Sequence, residues 1–179
     1  ATFLGQETFI MRALFRFIAT FLFILIIGVG LFFIGMRFHD GPLEIISGGP
    51  FKSGELSSTP ISWDFIKDRQ EIEFQTLDPT TSRTVWLGVI EGRLFLVSGY
   101  MNTGYGGLWK QWPHYLSEDD HIILRIDGKL YEQRLERVMG GEIVAPVLAE
   151  FGRKYGFGAV SDDSPVTSGD TWMFEVLPR

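Results

Sequence analysis

The chain has 179 residues, a formal net charge of −6 and no cysteine. Without cysteine, disulfides, thiolate metal sites and a cysteine nucleophile are excluded. The acidic balance, with no basic block, argues against nucleic acid as a partner. Three histidines, His39, His114 and His121, are too scattered for a metal cage, so no metal is expected.

Residues 1–12 read as an N-terminal tail. The run from Phe17 to Met36, "FIATFLFILIIGVGLFFIGM", carries no charge and is apolar on every face. That is the length and composition of a bilayer span rather than of an amphipathic helix covering a core. With its flanks it predicts a transmembrane helix over 13–37. A secretory signal would have a shorter apolar run and a small-residue cleavage motif, whereas "GMRFHDGP" follows here. The segment therefore reads as a retained anchor, with membrane lipid as a partner. Arg12 and Arg16 precede the span and Arg37 follows it. The excess of basic residues puts the N-terminus in the cytoplasm and the domain outside. In a bacterium that means an inner-membrane protein with a periplasmic domain. Gly28, Gly30 and Gly35 would let another helix or a lipid approach the span closely.

Residues 38–62 read as a juxtamembrane linker. It is rich in Gly, Pro and Ser, yet Leu43, Ile45, Ile46, Phe51 and Leu56 are too apolar for a free tether, so it should pack on the domain or at the membrane surface. "STPISWDFIKD" predicts a short helix capped by Thr59 with Pro60 in its first turn.

The domain, 63–179, reads as mostly antiparallel. Glu71–Leu77 alternates, so Ile72 and Phe74 share one face. "DPTTS" (Asp78 to Ser82) is a turn by composition. Arg83 to Ile90 forms the next strand, and Glu91-Gly92 turns it into "RLFLVS". "HIILRI" and "KLYEQRLERV" flank Asp127-Gly128, a strong hairpin signal. "PVLAEFGRKYG" predicts a helix with Val147, Phe151 and Tyr155 on one side and Gly156 as its stop. A last strand, "TWMFEVL", puts Trp172, Phe174 and Val176 on one face. Hairpins with two-residue turns make a closed barrel the economical solution, because closure removes exposed edges. The fold class is therefore α+β: one N-terminal transmembrane helix, then a split β-barrel-like domain with one or two helices.

Between two of these strands lies "GYMNTGYGGLWKQWPHYL", dense in glycines and rings. From Glu71 to Tyr155 the chain resembles the split β-barrel reductases that use flavin or deazaflavin, in particular their nitroreductase and quinone-reductase branch. Ser82 and Arg83 match the turn that enters a strand, Gly106 and Gly107 the glycine-rich turn, and Trp112-Pro113 with Tyr115-Leu116 the short helix that follows. The resemblance implies a pocket wall in this loop and a flavin or deazaflavin cofactor.

Read from the residues themselves, Arg83 is either an anion clamp or a strand-end arginine paired with Asp78 or Glu73. Tyr100, Trp109, Lys110, Trp112, His114 and Tyr115 form either a ligand wall, a partner surface or a plug in the barrel end. Glu118, Asp119 and Asp120 read as a solvated turn. "DPTTSRT" offers one arginine to an anionic cofactor, and three acids follow the loop. No nucleophile–base pair is placed by spacing, so no catalytic residue is assigned. These features favour an accessory subunit of a larger, energy-transducing membrane complex, respiratory or photosynthetic, with other membrane proteins as partners and no cofactor of its own. A membrane-anchored flavin or deazaflavin reductase of quinone-like substrates is the alternative.

Overall fold

A computed structural model describes residues 2–104, 111–156 and 162–179, with side chains from Phe9 onward. The architecture is α+β. A long apolar helix, α1 (Thr2–Met36), leads into an antiparallel β-barrel with a few short helices. Within α1, Phe9–Met36 is long and apolar enough to cross a membrane, a property that a signal sequence near an N-terminus shares. The helix begins well inside the segment read from sequence as a tail.

The barrel strands follow the sequence pattern closely. After β1 (Glu55–Leu56) come β2 (Glu71–Leu77), β3 (Thr80–Ile90) and β4 (Arg93–Ser98). Then follow α2 (Trp112–Tyr115), β5 (His121–Ile126), β6 (Lys129–Val138), α3 (Val144–Tyr155), α4 (Ser164–Thr167) and β7 (Trp172–Pro178). The strand order is β1-β6-β5-β2-β3-β4-β7, and β6 also pairs with β7, which closes the barrel. One edge of β6 serves two partners: residues 129–130 take β1 in parallel, and residues 133–138 take β7 antiparallel. The β3–β4 and β5–β6 hairpin turns carry positive φ at each central residue, Glu91 with Gly92 and Asp127 with Gly128. That is the turn whose twist matches flanking strands.

Two expectations are corrected. Strand β3 starts at Thr80, so "DPTTS" is a turn only at Asp78-Pro79, whose peptide is cis. Pairing of Thr80 with Leu77 and of Ser82 with Gln75 extends the ladder through residues whose composition suggests a loop. No helix starts at Thr59-Pro60. A 3-10 turn forms later, at Asp64–Ile66, and the Thr59 hydroxyl instead accepts a hydrogen bond from Gln133 Nε2 at 2.7 Å. The demand of a buried amide outweighs local capping here.

Inward residues of β2 to β7 form the main core, among them Phe74, Leu87, Leu94, Leu96, Ile122, Leu124 and Phe174. One barrel end is plugged by Trp63 and Ile66, the other by Trp112. A second core lies outside the barrel wall, where Val147, Leu148 and Phe151 of α3 and Val166 of α4 cover Phe95 and Met173. Strand β4 is therefore buried on both faces, which is why "LFL" is continuously apolar. Gly88 faces α3, and a Cβ there would lie 2.6 Å from the Phe151 ring. Gly88→Val should overpack this layer and lower stability by about 1–3 kcal/mol, measured by chemical denaturation, while Gly88→Ala should cost less.

The helix α3 stops at Gly156, in the left-handed region at φ 74°. Its last turn clamps the sheet. Lys154 Nζ donates to the carbonyls of Lys67, Arg69 and Leu87. The Tyr155 hydroxyl accepts from Leu87 N–H at 2.9 Å and donates to the Gln70 carbonyl at 2.6 Å. Burial pushes the Tyr155 pKa up to about 12.

The segment between α1 and β1 is a strap across the outer barrel wall. Gly48 bridges the free half of β3, exchanging both backbone hydrogen bonds with Ser82 at 2.9 and 3.1 Å. Phe51 N–H then donates to Gln75 Oε1 on β2, and Ser53 and Asp40 reach Arg125 on β5. Gln75 and Ser82 point outward and are polar, yet they are buried because the strap covers them and satisfies them. The strap also grips the helix end: a Cβ on Gly49 would come 2.3 Å from the Arg37 carbonyl oxygen, and one on Gly48 would come 1.7 Å from that of Gly41.

Candidate functional site

Strand parity decides which charged residues face the barrel interior. Glu73 and Arg125 are register partners on the outer face, where Arg125 Nε donates to Glu73 Oε2 at 2.5 Å and Arg125 Nη1 to Asp40 Oδ1 at 2.7 Å. Arg83 pairs in register with Phe74 and shares the inward parity of Val85, Leu87 and Val89. The pairing of Arg83 with Glu73 or Asp78 expected from sequence is therefore not made. Glu73 lies on the opposite face and belongs to Arg125. No ion pair joins Arg83 to any described residue, and its Nε is buried without a hydrogen-bond partner. Burial pushes the Arg83 pKa down, with the nearby Tyr115 acting in the opposite sense. The guanidinium stays cationic nonetheless, because its intrinsic pKa is so high.

Arg83 lines a cavity of about 260 Å³ at the α2 end of the barrel. Its other walls come from the end of α1 (Arg37), the strap (Ser47, Gly48), the β2–β3 turn (Pro79, Thr81) and the residues around α2 (Gln111, Tyr115). No wall is acidic. At the same end, Arg137 lies with its guanidinium 3.6 Å from the centre of the Trp172 ring. Among the described residues, Arg37, Arg83 and Arg137 are all without a carboxylate partner, in a chain whose net charge is −6. A desolvated guanidinium with a free N–H favours an anion that can accept its hydrogen bond. The chemistry of the arrangement is that needed to receive an anion.

The aromatic loop divides in function. Trp112 is only 4% exposed and packs edge-on against Phe74, with ring centres 5.1 Å apart, and on Phe174 at 5.2 Å. It is a core plug, not a ligand wall. His114 sets its ring against Trp172 at 4.9 Å, and its backbone N–H bonds the Gln111 carbonyl. Tyr115 is part of the cavity wall, while Tyr100 stands at φ 63° on the surface. Gly106, Gly107, Trp109 and Lys110 lie outside the described residues. Sequence reading missed Arg37, Ser47 and Gln111 as cavity walls. Arg37 was visible only as a topology signal, and nothing local marks the other two.

In the turn before β5, Asp119 accepts from the His121 backbone N–H at 3.0 Å and contacts its Nδ1 at 2.8 Å. These bonds, the backbone one foremost, hold the Asp119 carboxyl below its usual range. Asp119, Asp120 and His121 bring their ligand atoms within 4.8 Å of one another. The contacts are those of a strand-entry turn. Along α1, Gly28 and Gly35 fall on one face, seven residues apart, and Gly30 on nearly the opposite one. Among the described residues, nothing beyond the helix's own neighbouring backbone lies within 4 Å of a Cβ built on any of the three.

No protein-family model matches the chain, and neither does any curated protein. Among solved structures, the conserved hypothetical protein Rv2991 from Mycobacterium tuberculosis aligns at 17% identity and a TM-score of 0.46, over 65% of this chain and 77% of that one. An F420 reductase aligns at 13% identity and a TM-score of 0.41, over 68% of this chain and 96% of its own. Likenesses this distant carry no argument about chemistry, which rests on the arginine-lined mouth.

Proposed function

We propose that the chain is a membrane-tethered, reductase-like split barrel whose mouth binds the anionic end of a flavin or deazaflavin cofactor, with a quinone-like compound as substrate. One observation carries this reading: the inward, unpaired guanidinium of Arg83 beside a cavity with no acidic wall. The resemblance over Glu71 to Tyr155 supports it, because Arg83 is the residue that falls on the strand-entry turn of that family. The fit is to the charged end of such a cofactor. A volume of about 260 Å³ suits a phosphate and its neighbours and is smaller than cavities that enclose a whole drug-sized molecule.

When bound, such a cofactor supplies hydride transfer. The chain's own residues would hold and orient it. Arg83 would donate to the anion from its guanidinium, Arg37 would add charge from the end of α1, and Gln111 and Tyr115 would fix direction. Trp112 would keep water from the barrel interior behind the site. This reading places α1 in a bacterial inner membrane.

A second reading, the accessory subunit expected from sequence, draws support from Gly28 and Gly35, which share an open face of α1. One experiment separates the two. The full chain, purified in detergent, is titrated with flavin mononucleotide and with a deazaflavin phosphate, and binding is read by fluorescence. Losing a charge-assisted hydrogen bond costs about 1.5–3 kcal/mol, so Arg83→Met should weaken binding by about 10- to 100-fold. Equal binding by Arg83→Met, or no binding of either compound by the native chain, would overturn the reading. Migration with a larger assembly without a chromophore would then favour the accessory role.

A further inference from the structure

We infer that the tight hairpin Leu43–Ile46 is a second membrane contact, which seats its apolar tip in the headgroup–acyl boundary of the bilayer that α1 enters. The inference rests on reading α1 as a membrane span. Leu43 and Ile46 exchange both backbone hydrogen bonds, at 3.0 and 2.8 Å, so Glu44 and Ile45 form a two-residue turn. Glu44 adopts φ 50°, a conformation that side chains other than glycine rarely take. The turn thrusts Ile45 outward: it is 83% exposed, and Leu43 beside it is 45% exposed. The described residues leave this aliphatic side chain almost uncovered, and with Leu43 and Phe38 it adds exposed apolar surface beside the end of α1, a grouping of the kind that marks an interaction surface.

The bilayer is the occupant that the surroundings favour. The apolar surface of α1 does not stop at Met36, because Phe38 just beyond it is 70% exposed. The hairpin is fixed relative to that helix end rather than tethered to it. Gly49 packs on the Arg37 carbonyl, Gly48 packs on that of Gly41, and His39 Nδ1 lies 2.9 Å from the same Gly41 oxygen. A rigid tip a few residues from the end of a span meets the interface of the same membrane. Arg37 and Lys52 belong to the same strap, and cations there suit the phosphates of a headgroup layer, while the exposed Glu44 beside Ile45 keeps the tip at interfacial depth. Ser47, two residues beyond the tip, is a wall of the arginine cavity. Seating the hairpin therefore brings the anion receptor to the membrane surface.

The absence of cysteine makes the test direct. Single variants Leu25→Cys, Ile45→Cys and Glu142→Cys of the full chain are spin-labelled and placed in nanodiscs of neutral and anionic phospholipid. Accessibility to oxygen is compared with accessibility to a water-soluble nickel chelate. The expected result is an oxygen-to-nickel ratio several-fold higher at positions 25 and 45 than at 142, an exposed residue before α3. If the label at 25 behaves like that at 142, the span reading fails, and this inference with it. If 25 is protected and 45 matches 142, the hairpin contact alone is overturned. Protection at 45 with spin–spin broadening that vanishes on dilution with unlabelled chain would mean that a second copy covers the tip, which also overturns it.

Discussion

Replacing Trp112 by alanine should destabilise the barrel by about 3–5 kcal/mol, the range for removing a buried large aromatic. The ring is nearly inaccessible and fills the barrel end between Phe74 and Phe174. No neighbouring element can collapse into the gap, because Phe74 and Phe174 belong to strands held on both sides by ladders. Chemical denaturation of the full chain in detergent measures the loss, and Trp112→Phe should recover a large part of it. The same substitution should weaken anion binding, since Trp112 anchors the short helix that carries Tyr115 and follows Gln111, both walls of the cavity. A variant within 1 kcal/mol of the native chain would show that Trp112 is not the plug.

Replacing Arg125 by methionine should detach the strap. Its guanidinium, largely buried, bridges Asp40 of the strap and Glu73 of β2 and lies 4.4 Å from the centre of the Phe51 ring. Breaking a well-buried pair costs about 3–5 kcal/mol. Both carboxylates here keep about a third of their surface in water, so about 1–2 kcal/mol is expected. The clearer readout is limited proteolysis, with faster cleavage between residues 40 and 53 while the barrel stays intact. Acid should act on the same joint. The Lys52 backbone N–H, the Ser53 hydroxyl and Arg125 hold the Asp40 carboxyl well below its usual range. A carboxyl depressed in the folded state contributes stability that is complete above its unfolded pKa, about 3.9, and is lost as pH falls through the lower folded value. Strap protection should therefore persist at mildly acidic pH and fail only in strong acid. Asp40→Asn should remove that dependence. Unchanged cleavage in Arg125→Met would mean that Gly48, Gly49 and the β3 bridge hold the strap alone.

The legible and the hidden parts of this protein separate by range of interaction. Strands β2, β4, β5 and β6 were readable to the residue because alternation and two-residue turns are local signals. The helix α3 was readable for the same reason, from its spacing and its glycine stop. Strand β3 was read three residues too short, from Arg83 instead of Thr80, since "TTS" has turn composition and joins the ladder only because β2 lies beside it. Thr59-Pro60 carried a sound local helix signal that a buried glutamine overrode.

Local pattern alone gives an apolar helix ahead of an antiparallel barrel, with an arginine and a ring-rich loop among its strands. The surroundings of Arg83 come from long-range pairing. Whether an arginine is neutralised depends on which face of the sheet its neighbours occupy, and face follows from register between strands that are distant in sequence. Glu73 sits one residue from the register partner of Arg83 and points the other way, so it pairs with Arg125, which also binds Asp40, and Arg83 is left facing a cavity whose described walls carry no counter-charge. The same distinction assigns the loop: Trp112 closes the core against Phe74 and Phe174 while Tyr115, one helical turn further on, lines the cavity, a division set by packing against distant strands rather than by spacing.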